Sequence, residues 1–178
     1  MKKLLSVAAA SSLLWIGLAD AHGPTRQKTV ETIEINAAPE AVWAVVGDFA
    51  HPEKWVPVVE STTSEGGNEK GATRELHMKG GGSLKEELKD HDATKMSIKY
   101  KVVDPTDPKV LPVNNYASEV SVEPNGSGGS KVEWKGAYYR WFLNNNPPEG
   151  ENEEAANSTV SKIYKEGLAN LKAVVEKH

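Results

Sequence analysis

General acid–base or nucleophilic chemistry needs a reactive side chain held inside a pocket, and few residues of this sequence qualify. There are five histidines and no cysteine. His77 falls on the charged side of its strand pattern, His91 at a strand end, His51 in a turn and His178 at the terminus. Without cysteine there is no thiolate metal site, no cysteine-linked lipid and no covalently attached haem. Glu86 is the one carboxylate expected to point inward, and Arg74 is its natural partner. The plainer reading of the two is a structural ion pair near the rim of a sheet. The functional reading is a polar anchor among apolar walls, setting the orientation of a bound ligand. Tyr100, Tyr116, Trp134 and Tyr138 complete that candidate ligand-binding set. No catalytic residue, metal ligand or cofactor is assigned.

Arg74 and Glu86 acquire meaning from the elements that carry them. Alternating patterns predict strands over 28–36, 58–65, 72–79, 83–90, 96–103, 114–123 and 130–141. Gly, Asn and Pro separate the last six, the signature of an antiparallel meander. One side collects Leu76, Met78, Leu84, Leu88, Ile98, Tyr100, Val102, Tyr116, Val120, Val122, Val132, Trp134 and Tyr138. The other side is rich in Lys and Glu, so a slip of one residue would expose the core. With Gly80 to Gly82 as the turn, Met78 faces Leu84, Leu76 faces Glu86, and Arg74 lies diagonal to Glu86.

Pro39 opens a first helix through Val42, Val45, Val46 and Phe49. A long helix closes the chain, with Ala156, Val160, Ile163, Gly167, Leu171 and Val174 as one stripe, widened by Tyr164, Leu168 and Val175. Glu151, Glu153 and Glu154 at its start and Lys172 and Lys177 near its end match the helix dipole. A curved sheet with one apolar face needs a cover, and this helix is the element able to supply it. The fold class is therefore α+β.

The first residues read as an export signal: Lys2 and Lys3, an uncharged apolar run over 4–18, then Ala19-Asp20-Ala21. Residues 1–21 are the expected signal peptide and 22–178 a single domain, placed in the periplasm. His22 would then carry a free amino group beside its imidazole, a pair that can chelate copper, although an unstructured arm is the plainer reading. The net charge of −4, with both signs interspersed, argues against nucleic acid and against anionic membranes as partners.

Several stretches together resemble the SRPBCC superfamily, the START-like, polyketide cyclase/dehydrase-type domains. They are Pro39-x-x-Val42-Trp43-x-x-Val46-Gly47-Asp48-Phe49, Gly71-Ala72-Thr73-Arg74, Gly82 through Leu88, Leu111 through Tyr116, and Trp134 preceding Gly136. The resemblance implies a helix-grip fold, a curved antiparallel sheet of about seven strands wrapped around the C-terminal helix. Val132 through Arg140 and Asn144-Asn145-Asn146-Pro147-Pro148, with the signal, are most similar to MxaD-type periplasmic proteins of methanol oxidation. That branch implies assistance to methanol dehydrogenase and its cytochrome c acceptor. Trp55-Val56-Pro57 departs from the Trp-His-Pro expected there.

Three functions compete. A non-catalytic accessory protein would contact a periplasmic dehydrogenase or a cytochrome c through Tyr139, Trp141, Phe142 and Leu143, clustered before a Pro/Asn-rich loop. The acidic run from Glu149 to Glu154 would steer that encounter. The same aromatics could instead simply close the end of the barrel. A carrier would hold a small hydrophobic ligand between sheet and helix. A cyclase-like enzyme would have to use Glu86 as its base.

Overall fold

The computed structural model describes residues 23–103 and 105–177. The expected signal peptide, His22 and His178 lie outside the described residues. Seven strands form one antiparallel sheet: β1 (Gln27–Ile35), β2 (Val59–Glu65), β3 (Thr73–Met78), β4 (Ser83–Asp92), β5 (Ser97–Val102), β6 (Val113–Pro124) and β7 (Ser130–Arg140). Their spatial order is β1-β7-β6-β5-β4-β3-β2, so β2 to β7 run as a meander and β1 joins β7 at the far edge.

Helix α1 (Pro39–Val46) and the short 3₁₀ turn Pro52–Lys54 connect the two edge strands. Helix α2 (Glu153–Val175) lies in the concave side of the sheet, packed on β1 and β7. This is the helix-grip α+β architecture that the alternation and the C-terminal stripe predict. Among the described residues, no helix is long and apolar enough to cross a membrane.

Local chemistry explains the element ends. Pro39 supplies the preset φ of a first helical turn. Asn152 caps α2 by accepting a hydrogen bond from the Ala155 amide at 2.8 Å, with Glu153 and Glu154 in the positive first turn. Bulges interrupt the pairing at Val59/Ser61, Leu88/Asp90 and Asn114/Ala117. The last contains Asn115 at φ 49°, a left-handed conformation that asparagine tolerates. Such bulges deepen strand twist and let the sheet bend around α2.

The inward face assigned from alternation is buried, with Val102 half-buried at its end. The buried side of α2 is turned slightly from the expected stripe. Tyr164, Leu168 and Val175 are in the core, while Ile163 and Val174 flank it half-buried. Tyr164 stacks on Trp134, ring centroids 4.1 Å apart, and Trp55 tilts against Trp134 at 4.8 Å. Contacts of this kind add to simple area burial. Helix and sheet come this close because Gly167 has no side chain: a Cβ there would stand 2.7 Å from the Trp134 ring.

The β3–β4 register corrects the sequence expectation. Leu76 pairs with Leu84 and Arg74 with Glu86. The turn is larger than Gly80 to Gly82 alone: the Met78 amide donates to the Gly82 carbonyl, and Lys79 has left the strand. All three glycines have positive φ, which a run of ordinary residues would not adopt. The wider turn moves the pairing by two residues, so every side chain keeps its face while its partner changes.

Candidate functional site

Arg74 and Glu86 meet because β3 and β4 place them directly opposite each other on the concave face. Both Nε and a terminal nitrogen of Arg74 donate to one Glu86 oxygen, at 2.7 and 2.6 Å. A further nitrogen donates to the Phe49 carbonyl at 2.8 Å. The guanidinium carbon lies 4.2 Å from the Phe49 ring centroid and 4.8 Å from that of Tyr100. Arg74 is 7% exposed and Glu86 4%. A pair this deep must be well bonded to offset its desolvation, and here all three guanidinium nitrogens are bonded and two rings lie near it.

Beneath the pair lies a cavity of about 50 Å³ between sheet and α2. Its polar end is Arg74 and Glu86, and its walls include Tyr100, Tyr116, Trp134 and, from α2, Tyr164. Five of the six candidate ligand-binding residues are thus brought together. Tyr138 stands apart from that cavity. Its hydroxyl bonds Thr29 and donates to Asn157 Oδ1 at 3.0 Å, tying β1 and β7 to α2.

A hydrogen-bond network through Ser118 ties the aromatic walls of the cavity together. Trp134 Nε1 donates to Tyr100 at 3.0 Å and to Ser118 Oγ at 2.9 Å, while Tyr164 contacts the Tyr116 hydroxyl at 2.6 Å and Ser118 at 3.0 Å. Burial pushes the Tyr100 phenol up to about 12, with the Glu86 charge adding to it. Burial also holds Tyr116 and Tyr164 well above the ordinary tyrosine range. These hydroxyls are donors and acceptors, kept protonated at neutral pH.

Ser118 and Tyr164 escaped the sequence reading of this site. Ser118 shares the inward parity of Tyr116 and Val120, a signal hidden by its small polar side chain. Tyr164 belonged to the α2 stripe but was not assigned to the cavity.

A second assembly stands at the end of β7. Arg140 also has inward parity and is 7% exposed, so with Arg74 and Glu86 it is the third buried charged residue among the described residues. Its Nε donates to the Phe142 carbonyl at 2.6 Å, one terminal nitrogen to the Asn144 carbonyl at 2.8 Å, and the other pairs with Glu153. Trp141 is fixed as well. Its amide donates to the Pro112 carbonyl at 3.0 Å and its Nε1 to the Thr106 carbonyl at 2.7 Å. Tyr139, Trp141 and Phe142 are half-buried, and Leu143 is 45% exposed. Glu153 is committed to Arg140, whereas Glu149 and Glu154 are exposed.

His51, His77 and His91 lie where the pattern put them. His77 is on the convex face beside Thr63, His51 pairs with Asp48 at the surface, and His91 contacts the Gly47 carbonyl at 2.9 Å. Burial alone would raise the Asp48 carboxyl, but hydrogen bonds to Lys54 and His51 outweigh it and lower its pKa. Among the described residues, no three His, Cys, Asp or Glu side chains are grouped to hold a metal.

Comparison with known proteins places this geometry. A search of curated proteins finds no match. Among solved structures, an uncharacterised protein from Bacillus thuringiensis is 28% identical with a TM-score of 0.69, covering 84% of this chain and 99% of its own. The protein XoxI from Bacillus cereus is 26% identical with a TM-score of 0.69, covering 85% and 98%. A norcoclaurine synthase from Thalictrum, solved with a transition-state analogue, shares the fold alone at 15% identity and a TM-score of 0.63, covering 87% and 97%. The profile of the polyketide cyclase/dehydrase and lipid transport family matches residues 26–176, and this chain belongs to that family.

Proposed function

We propose that this protein is an exported, non-catalytic accessory domain of MxaD type. It docks on a periplasmic alcohol dehydrogenase, or on that enzyme's cytochrome c acceptor, through the rim formed by residues 139–143. The observation that carries this reading is the Arg140 clamp, a buried guanidinium whose donors hold the Phe142 and Asn144 carbonyls and Glu153. An apolar loop that is ordered before its partner arrives does not lose that entropy on binding. Phe142 and Leu143 thereby become fixed anchors at the surface. Exposed Glu149 and Glu154 beside them favour a partner with a basic face.

Two further observations favour a non-catalytic role. Glu86, the one inward carboxylate proposed as a base, is bonded to Arg74, and the cavity tyrosines are held protonated. Export rests on Lys2, Lys3, the apolar run and Ala19-Asp20-Ala21. The test is calorimetric titration of the mature protein with the alcohol dehydrogenase and with the cytochrome c of its own source. Leu143→Glu should weaken one of those affinities by about tenfold or more, with the thermal melt unchanged. Affinity unchanged by Leu143→Glu, or turnover abolished by Glu86→Gln, would falsify the proposal.

A second reading, carriage of a small apolar ligand, is favoured by the aromatic-walled cavity. Its volume of about 50 Å³ is far below the roughly 300–1,000 Å³ of drug-sized sites, so the ligand would be small. Native mass spectrometry of the freshly purified protein should show such an adduct, and loss of the adduct in Leu84→Trp would locate it.

A further inference from the structure

A hollow larger than the cavity beneath the helix lies on the convex face of the sheet. Ala117 of β6 pairs directly with Ala137 of β7, and Lys28 of β1 flanks Ala137 on its other side. In the adjacent row, Val30 pairs with Lys135, Lys135 with Glu119, and Glu119 with Lys99. Two alanine methyls side by side leave a depression of about 430 Å³. That volume is within the range of small-molecule sites, about 300–1,000 Å³.

The core does not dictate these alanines. Gly136, between the strand neighbours, is required inside, where any side chain would collide with the Tyr164 hydroxyl. Ala117 and Ala137 point the opposite way. Alanine is a poor strand former, and the rest of this face carries Lys and Glu. Longer residues would fit the local pattern better and would fill the hollow.

Charge and surface type define the occupant. The lining holds Lys28, Lys89, Lys99 and Lys135 against Glu119 alone. Glu119 is engaged by Lys135 at 3.3 Å, and just outside the hollow Glu87 pairs with Lys89, Asp90 with Lys99 and Glu133 with Lys135. Lys28 forms no ion pair among the described residues. Val30, 54% exposed, adds apolar area to the alanine floor. A purely inorganic anion would leave that floor wet, and a neutral apolar molecule would leave the Lys28 ammonium unanswered.

We propose that this convex hollow binds a small organic anion, with its apolar body on Ala117, Ala137 and Val30 and its carboxylate facing Lys28 and Lys99. The inference is independent of the docking rim. Because the ammonium groups are exposed, binding weakens as salt is added.

The test is titration of the full-length mature chain with naphthalene-carboxylate, followed through the methyl resonances of Ala117 and Ala137 and the indole N–H of Trp134. The expected result is saturable movement of both methyls with Trp134 unmoved. Naphthyl-methanol, which lacks the carboxylate, should bind about tenfold more weakly, as should the Lys28→Glu/Lys99→Glu and Ala137→Leu variants. All three substituted side chains face solvent, and an unchanged melt for either variant keeps the comparison valid. Movement of Trp134 without the alanines, equal affinity for the alcohol, undiminished binding by both variants or no saturation at millimolar probe would overturn the proposal.

Discussion

Arg74 and Glu86 face each other across β3 and β4 with contacts of 2.6 and 2.7 Å, and both are almost wholly removed from solvent. Removing one charge strands the other. Arg74→Ala should therefore cost about 3–5 kcal/mol in urea unfolding. The double variant Arg74→Met/Glu86→Leu should regain most of that loss, since neither charge is then buried. A single variant as stable as the parent would mean that water reaches Glu86 in solution.

Gly167 sets two opposing effects against each other. Alanine would improve helix propensity by about 1 kcal/mol. Its methyl would also press into Trp134 from 2.7 Å, and overpacking of this kind costs about 1–3 kcal/mol. The steric effect should win, and Gly167→Ala should lower the melting temperature. A rise would show that the Trp134–Tyr164 stack can yield.

Arg140→Ala should loosen the rim without unfolding the domain. Two carbonyls and one carboxylate lose their shared donor, so the Phe142 amide, which donates to the Glu151 carbonyl, should exchange hydrogen about tenfold faster. Glu153→Gln should do less, because both carbonyl bonds remain. Unchanged exchange in Arg140→Ala would show that Trp141 alone orders the loop.

The cavity tyrosines predict where alkali destabilises the fold. Tyr100 titrates near 10.0 when unfolded and at about 12 when folded, chiefly through burial. Between those values the unfolded chain has lost a proton that the folded chain still holds, so stability falls as pH rises. It is fully present below pH 10 and lost through pH 12. Tyr116 and Tyr164, shifted in the same direction, steepen the effect. Urea midpoints measured across this window should drop together with the appearance of tyrosinate absorbance. A flat profile would show that these hydroxyls titrate in the folded state.

Strand identity, strand faces and the gripping helix were all legible in the sequence, because each depends on period alone. Leu76, Met78, Leu84 and Leu88 alternate with charge, and only one face of such a strand can be buried. Arg74 and Glu86 were visible as charges that break this pattern. Arg140 broke it in the same way after Val132, Trp134, Gly136 and Tyr138, at the point where the strand pattern runs into an aromatic cluster. Partner choice was less legible. The β3–β4 register depends on how three glycines share a turn, and a shift of two residues leaves every face unchanged.

Composition and spacing determined by themselves that this chain forms a bent antiparallel sheet around its last helix, with cysteine chemistry closed to it. Tertiary structure decided which inward residues share one cavity, how little space remains there, and that Tyr138 serves the β1–α2 seam instead. It also decided that the larger hollow lies outside, between Ala117 and Ala137. Period fixes which way a side chain points, whereas cavities depend on distances between strands and on the depth to which Gly167 and Gly136 let α2 settle.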